Sequence, residues 1–166
     1  NRAALESAAL LDLIAPYRAA VKVHVDLHET TDTDESEFRP ALAARDGKPF
    51  EPGTIPDGFY LVDDQASPQP AFQAAIIRAV AEVTHIAPAD AEGKLIGSPM
   101  VAPGVIEYPF RTLGLCAGIT DSPFKTTTEV YPDSPRTSAD ECLRAQSVAV
   151  RAAVDHCLLA RGRGSP

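Results

Sequence analysis

Two strand-like segments that carry ionisable side chains constrain the fold of this chain more than any other feature. Residues 21–27 alternate apolar and polar side chains, and residues 126–131 form a second β-branched run around Glu129. In the first segment, the period of two places four polar residues on one face of the strand: Lys22, His24, Asp26 and His28. Strands that are buried on both faces are usually apolar throughout. The pattern therefore predicts a sheet with one face open to a polar cleft and with His28 at a strand end, where α/β sheets place their ligand sites.

The other periodic segments predict an α/β fold, with a mixed sheet flanked by helices. Helical spacing of apolar residues indicates three helices, at residues 3–15, 70–86 and 137–161. We expect the first helix to pack on the sheet and Thr137 to cap the last. Further strands are predicted at residues 59–62 and on both sides of a Pro-Gly turn within 97–108. The rest of residues 29–70 lacks a periodic pattern, which is typical of a functional loop.

The charge and the composition narrow the function classes. A formal net charge of -8 argues against nucleic acid or an anionic membrane as the main partner. No apolar run approaches the roughly 18 residues of a membrane span, and the opening Asn1-Arg2-Ala3 has no features of a signal peptide. The cysteines lack metal-type spacing and are expected to be buried free thiols in a reducing, cytoplasmic compartment: Cys116, Cys142 and Cys157.

His28 and Glu129 are the candidate reactive residues. His24 shares the face of His28 but lies roughly 13 Å away along an extended strand, too far for both to bind one ion directly. His28 is therefore the candidate metal ligand, although a lone strand histidine is more often an ordinary hydrogen-bonded residue. Glu129 is either a cleft-facing general base for a metal-activated water or an outward-facing strand residue. We interpret His85 and His156 as structural, because no third ligand gathers near either one in the sequence.

The acidic run at residues 32–37 superficially suggests a calcium loop. It lacks the glycine and the terminal glutamate of an EF-hand, so a solvated loop that favours basic substrate groups is the better interpretation. The chain also has no Gly-rich phosphate loop and no G-x-S-x-G nucleophile elbow. These absences argue against phosphoryl transfer and serine hydrolysis.

The segments D-L-H-E-T-T-D at 26–32 and T-T-E-V-Y-P at 127–132 together resemble the zinc carboxypeptidase family, the carboxypeptidase A-like metallopeptidases. They look closest to its bacterial branch, near succinylglutamate desuccinylase and aspartoacylase. The resemblance implies a three-layer α/β fold, a Zn²⁺ cofactor, and hydrolysis of an amide bond next to a free carboxylate in a peptide or N-acyl amino acid. It implies these site residues: His28 as third zinc ligand, Glu129 as the catalytic residue that promotes water attack, Tyr108 as the mobile-loop tyrosine, and Asn1 with Arg2 as the pair that holds the substrate carboxylate.

The chain departs from the family pattern in one respect. The first two zinc ligands of the family come from an H-x-x-E motif, and none of the four histidines of this chain has a glutamate three residues later. A catalytic zinc needs three protein ligands and a water. We therefore expect residues 1–166 to be the C-terminal portion of one catalytic domain, inactive alone, whose upstream part supplies the other ligands. Two alternatives stay open: an N-acyl amino acid deacylase, and a non-catalytic module that binds peptides or carboxylates without metal.

Overall fold

A computed structural model describes residues 4–162, without the side chains of Cys116 and Arg161. Four of the five predicted strands form one mixed sheet in it. The strands are β1 (Val23–Glu29), β2 (Tyr60–Asp64), β3 (Lys94–Leu95), β4 (Ser98–Pro99), β5 (Val105–Tyr108) and β6 (Phe124–Val130). The main sheet has the order β1-β6-β2-β5. Strands β1 and β6 are parallel, β2 is antiparallel to β6, and β5 is parallel to β2. Strands β3 and β4 pair separately as a short antiparallel ribbon.

Helices flank this sheet, which confirms the α/β class. The α-helices are α1 (Leu5–Ile14), α2 (Arg39–Arg45), α3 (Pro70–Val80), α4 (Phe110–Leu113) and α5 (Ala139–Gly162). A π-helical turn at Asp34–Phe38 precedes α2, and a 3-10 turn at Cys116–Ile119 precedes β6. None of the helices within residues 4–162 is long and apolar enough to cross a membrane.

The main hydrophobic core lies between one face of the sheet and the helices α3 and α5. It consists of Phe59, Leu61, Phe72, Ile76, Val80, Val105, Val130, Cys142, Ala145, Ala149 and Ala153. The three alanines follow one another at four-residue spacing on α5 and have no exposed surface. Residues four apart share one side of a helix, so small side chains there let α5 approach α3 and the sheet closely. Helix α5 contacts both β1 and β6 on this face of the sheet.

The opposite face carries the polar residues that the sequence predicts, beside a smaller apolar cluster. That cluster consists of Tyr60, Val62, Ala87, Leu95, Ile106, Phe110 and Ala117. A buried ion pair lies on the same face, with the Lys125 Nζ 2.9 Å from the Asp64 Oδ2. Burial of a charge is costly unless it has a partner, so this pair explains how a lysine is accommodated in the interior.

Three local predictions were wrong. Helix α1 forms where the sequence predicts it, but none of its residues is buried, so it does not pack on the sheet as expected. The cap of α5 is Ser138, whose Oγ accepts the backbone N–H of Glu141 at 3.2 Å, while the hydroxyl of Thr137 donates to the Glu141 carboxylate. Helix α3 ends at Val80, where the predicted helix continues to residue 86.

The prediction that the cysteines are free and buried is confirmed for two of the three residues. Cys142 and Cys157 are both free and buried. The side chain of Cys116 lies outside the part of the chain that the structure describes.

Candidate functional site

The pairing of β1 with β6 places His28 directly beside Glu129. The two residues are register partners in this parallel pair, and Tyr60 is the partner of Glu129 on the other side, in β2. Residues opposite each other in neighbouring strands project from the same face. The Nδ1 of His28 lies 3.8 Å from the Oε1 of Glu129. Two residues about a hundred positions apart in sequence thus meet on the polar face.

Asp26 orients the imidazole of His28. Its Oδ2 lies 3.1 Å from the Nε2 of His28, and the hydroxyl of Thr127 donates to the same oxygen at 3.3 Å. The hydrogen bond to Asp26 is the main reason why the pKa of His28 is raised above its ordinary value, with partial burial opposing it. In the neutral imidazole, a hydrogen on Nε2 directed at Asp26 leaves the lone pair on Nδ1 free to bind a metal.

Burial dominates the chemistry of Glu129. Its side chain is only 14% exposed, and this burial raises the pKa of its carboxyl to about 7, against the opposing effects of His28 and of a hydrogen bond from Thr30. A carboxyl with a pKa near neutrality exchanges its proton readily in both directions. Glu129 nevertheless faces a cleft, because it is one of the residues that line a cavity on this side of the sheet.

Two hydroxyl groups that the sequence did not single out also lie beside Glu129. The Thr30 hydroxyl donates to the Glu129 Oε2 at 3.1 Å, and the Tyr60 hydroxyl lies 3.5 Å from the Thr30 Oγ1. Thr30 could have been found from the strand alternation, because it is two residues beyond His28. Tyr60 could not, since its position depends on the register between β2 and β6.

Tyr108 lines the same cavity as His28 and Glu129. This cavity has a volume of about 220 Å³. Its lining residues are His28, Glu29, Thr30, Asp34, Phe38, Arg39, Tyr60, Val62, Ile96, Ile106, Tyr108 and Glu129. The Tyr108 hydroxyl accepts a hydrogen bond from Ser98 at 3.3 Å. The structure therefore brings three of the predicted site residues together, while Asn1 and Arg2 lie outside the described residues.

The described residues do not form a complete metal site by themselves. Within residues 4–162, no group of three or more histidine, cysteine, aspartate or glutamate side chains is arranged to hold a metal ion. His28 fits a single ligand position because Asp26 fixes its ring, which is the usual arrangement around a metal-bound histidine. His24 lies four residues before His28 on β1, roughly 13 Å away along the strand, and its Nδ1 is hydrogen-bonded to Thr120 at 3.0 Å. A zinc site on His28 requires ligands from beyond this part of the chain.

The other two histidines have structural contacts. His85 is hydrogen-bonded through its Nε2 to Asp57 at 3.0 Å, and Asp57 in turn accepts a hydrogen bond from Ser134. The ring of His156 packs edge-on against Phe72 and Phe124. These contacts agree with the structural interpretation of both residues.

The acidic loop is tied to the end of β6. The Tyr131 hydroxyl donates to the Asp32 Oδ1 at 2.6 Å, and the backbone N–H of Asp32 donates to Asp133 at 2.9 Å. The Oδ2 of Asp34 accepts the backbone N–H of Thr31 at 2.7 Å. Since these carboxylates serve as hydrogen-bond acceptors for their own loop, the structure gives no arrangement typical of a calcium site there.

In comparisons with known proteins, no protein-family model and no curated protein matches the chain.

Proposed function

We propose that this protein is a zinc-dependent hydrolase of the metallocarboxypeptidase type, which cleaves an amide bond next to a free carboxylate. The observation that carries the proposal is the cavity shared by His28, Glu129 and Tyr108. A histidine held by a carboxylate and a buried glutamate of raised pKa are two of the groups that metal-assisted hydrolysis uses. The resemblance assigns the roles of zinc ligand and proton acceptor to these two residues.

Each residue would have a defined task. Bound Zn²⁺ supplies polarisation of the scissile carbonyl and a lower pKa for the attacking water. His28 would bind the ion through its Nδ1, and Asp26 would keep the hydrogen of the ring on Nε2. Glu129 would take a proton from the water and pass it to the leaving amine, and its pKa of about 7 suits both transfers near neutral pH.

The substrate carboxylate would be held by Arg2 together with Asn1. A guanidinium group binds a carboxylate through two parallel hydrogen bonds, which fixes the orientation as well as the charge. Tyr108 would contact the substrate from the wall of the cavity. This assignment follows from the resemblance, and it makes a free carboxylate part of what the protein recognises.

The remaining zinc ligands would come from a further strand or loop beside β1. Strand β1 is at one end of the described sheet, and His28 lies near its end with a side chain that is 47% exposed. Large apolar side chains nearby in sequence are also exposed: Leu5, Leu10, Leu13, Tyr17 and Leu27. An open strand edge and a set of exposed apolar residues are features that proteins normally cover. This supports the expectation that residues 1–166 are one portion of a larger catalytic domain.

Zinc content of the full-length protein tests this proposal first. We expect about one equivalent of zinc per chain by elemental analysis, lost in His28→Ala and kept in the control His85→Gln. Glu129→Gln should keep the zinc and lose turnover, because the amide cannot accept the proton. A folded full-length protein without zinc would leave the non-catalytic binding module as the better explanation. Zinc with full turnover in Glu129→Gln would exclude Glu129 as the base.

A substrate panel separates the two enzymatic candidates. Peptides with a free C-terminal carboxylate are compared with N-acyl amino acids, each alongside its carboxamide counterpart. Hydrolysis of peptides is expected from the carboxypeptidase proposal, whereas turnover of N-acyl amino acids alone would favour the deacylase. Equal hydrolysis of acid and amide would contradict recognition of the carboxylate in either case.

A further inference from the structure

The two oxygens of the Glu129 carboxylate have different surroundings. Oε1 lies 3.8 Å from the Nδ1 of His28, while Oε2 accepts the hydroxyl of Thr30 at 3.1 Å. The Tyr60 hydroxyl lies 3.5 Å from the Thr30 Oγ1. Thr30 and Tyr60 are buried, at 8% and 3% exposed surface. The hydroxyl groups of Tyr60 and Thr30 therefore form a chain of hydroxyls that ends on the Glu129 Oε2. The Oε1 faces His28, the candidate zinc ligand.

The backbone holds all members of this chain of hydroxyls. The N–H of Thr30 donates to the carbonyl of Val130 at 2.9 Å, so the alignment of β1 with β6 continues one residue past the end of β1 at Glu29. Tyr60 is fixed from the other side as the register partner of Glu129. Because these positions are set by strand pairing on both sides of Glu129, the arrangement is built into the sheet.

The direction of the hydrogen bonds follows from the chemistry of the groups. An ionised carboxylate only accepts, so the single hydrogen of the Thr30 hydroxyl goes to Glu129. The Thr30 oxygen then has lone pairs for the hydrogen of Tyr60. Each bond polarises the next, and both strengthen the hold on Oε2.

We infer that Thr30, supported by Tyr60, is a positioning residue that fixes the Glu129 side chain so that Oε1 is the oxygen that accepts the proton. This inference rests on the proposed function, since it concerns the base of that reaction. A general base must stay within hydrogen-bond reach of the water that it activates. A displacement of about 1 Å at such a group can cost about a hundredfold in rate. Among the described residues, Thr30 makes the side-chain hydrogen bond to the Glu129 carboxylate, so its loss removes the contact that favours one rotamer.

The test compares three variants of the full-length, zinc-loaded protein. Thr30→Val keeps the shape of the side chain and removes the hydroxyl, and we expect kcat to fall by about 10- to 100-fold with KM within about twofold. Thr30→Ser restores the donor and should recover kcat to within about threefold. Tyr60→Phe should have a smaller effect than Thr30→Val, because its hydroxyl reaches Glu129 only through Thr30. Thr112→Val is the control, since Thr112 is an exposed residue of α4 outside the cavity lining.

A second readout does not depend on activity. Crystal structures of the variants should show Glu129 in more than one rotamer in Thr30→Val, and in a single rotamer facing His28 in Thr30→Ser. Unchanged kcat and an unchanged Glu129 rotamer in Thr30→Val would overturn the inference while leaving the zinc results for His28→Ala intact. A wild-type protein without zinc or turnover would instead overturn the proposed function, and the assignment of a positioning role with it.

Discussion

At the scale of single residues, burial of the Glu129 carboxylate links stability to pH. The folded protein raises its pKa from 4.5 to about 7, so the folded state binds the proton more tightly than the unfolded state. The free energy of unfolding must then decrease as pH rises from about 4.5 to about 7, and the stabilisation is fully present only below that range. The pKa of His28 is also raised in the folded protein, so its ionisation likewise makes the free energy of unfolding decrease as pH rises.

Glu129→Gln should therefore stabilise the metal-free protein at alkaline pH. The amide resembles the protonated carboxyl and carries no charge to bury, so the gain is on the order of 3 kcal/mol at about pH 8 and close to zero at about pH 4. Urea unfolding at the two pH values measures it. Glu6→Gln, which changes an exposed carboxylate on α1, is the control and should show no such difference. A gain of equal size at both pH values would mean that ionisation of Glu129 is not the cause.

Asp26 is expected to tune zinc affinity without binding the ion. Asp26→Asn removes the charge that holds the hydrogen on the His28 Nε2, and loss of such a partner typically weakens metal binding about 10- to 100-fold. A competition titration with a zinc chelator on the full-length protein measures the change. Asp155→Asn, an exposed site on α5, is the matched control. Unchanged affinity in Asp26→Asn would show that the hydrogen bond to His28 does not orient the ligand.

The candidate site was partly predictable from individual residues. Ionisable side chains within β-branched runs are a local signal, and they made His28 and Glu129 candidates. That these two residues are neighbours depends on the parallel pairing of β1 and β6, which no local pattern encodes. The same reason explains why Tyr60 was missed, since an aromatic residue in a buried strand is indistinguishable from an ordinary core residue until the register is known.

At the scale of secondary-structure elements, the strands were easier to predict than the helices. The strands of the main sheet were indicated by runs of apolar and β-branched residues. Helix α2 was missed because seven residues make only about two turns, too few for an apolar period to be recognised. Helix α1 has the expected period, but none of its residues is buried. Periodicity predicts that a helix forms, and it does not show what covers that helix.

The close approach of α5 makes the site sensitive to its packing. Ala149 has no exposed surface, and three residues before it the Gln146 amide donates to the carbonyl of His28 at 2.8 Å. A leucine at position 149 would push α5 away from the core, and overpacking of this kind costs about 1–3 kcal/mol.

We therefore expect Ala149→Leu to lower the free energy of unfolding by that amount and to weaken zinc binding as well. Urea unfolding and zinc titration measure the two effects. Ala160→Leu makes the same change at an exposed position of α5 and should be close to neutral. A destabilised Ala149→Leu protein with normal zinc affinity would show that α5 supports the fold but not the position of His28.

At the scale of the whole molecule, β1 is one of the two edge strands of the described main sheet. Strand β1 pairs with β6 on one side only within the described residues. Leu27 lies on it with 52% of its surface exposed. If the upstream part of the domain covers this edge, as we propose, Leu27 changes from an exposed residue to a buried one when that part is present.

Leu27→Lys tests this coverage by comparing two lengths of the same protein. In the 166-residue chain the substitution replaces an exposed side chain and should change the free energy of unfolding by less than about 0.5 kcal/mol. In the full-length protein the same lysine would bury a charge without a partner, and we expect a loss of about 2 kcal/mol or more together with a loss of zinc. Urea unfolding of both lengths provides the comparison, with the shorter chain as the internal control. Equal effects in the two lengths would mean that no further segment covers β1, and the missing zinc ligands would then have to reach His28 from another direction.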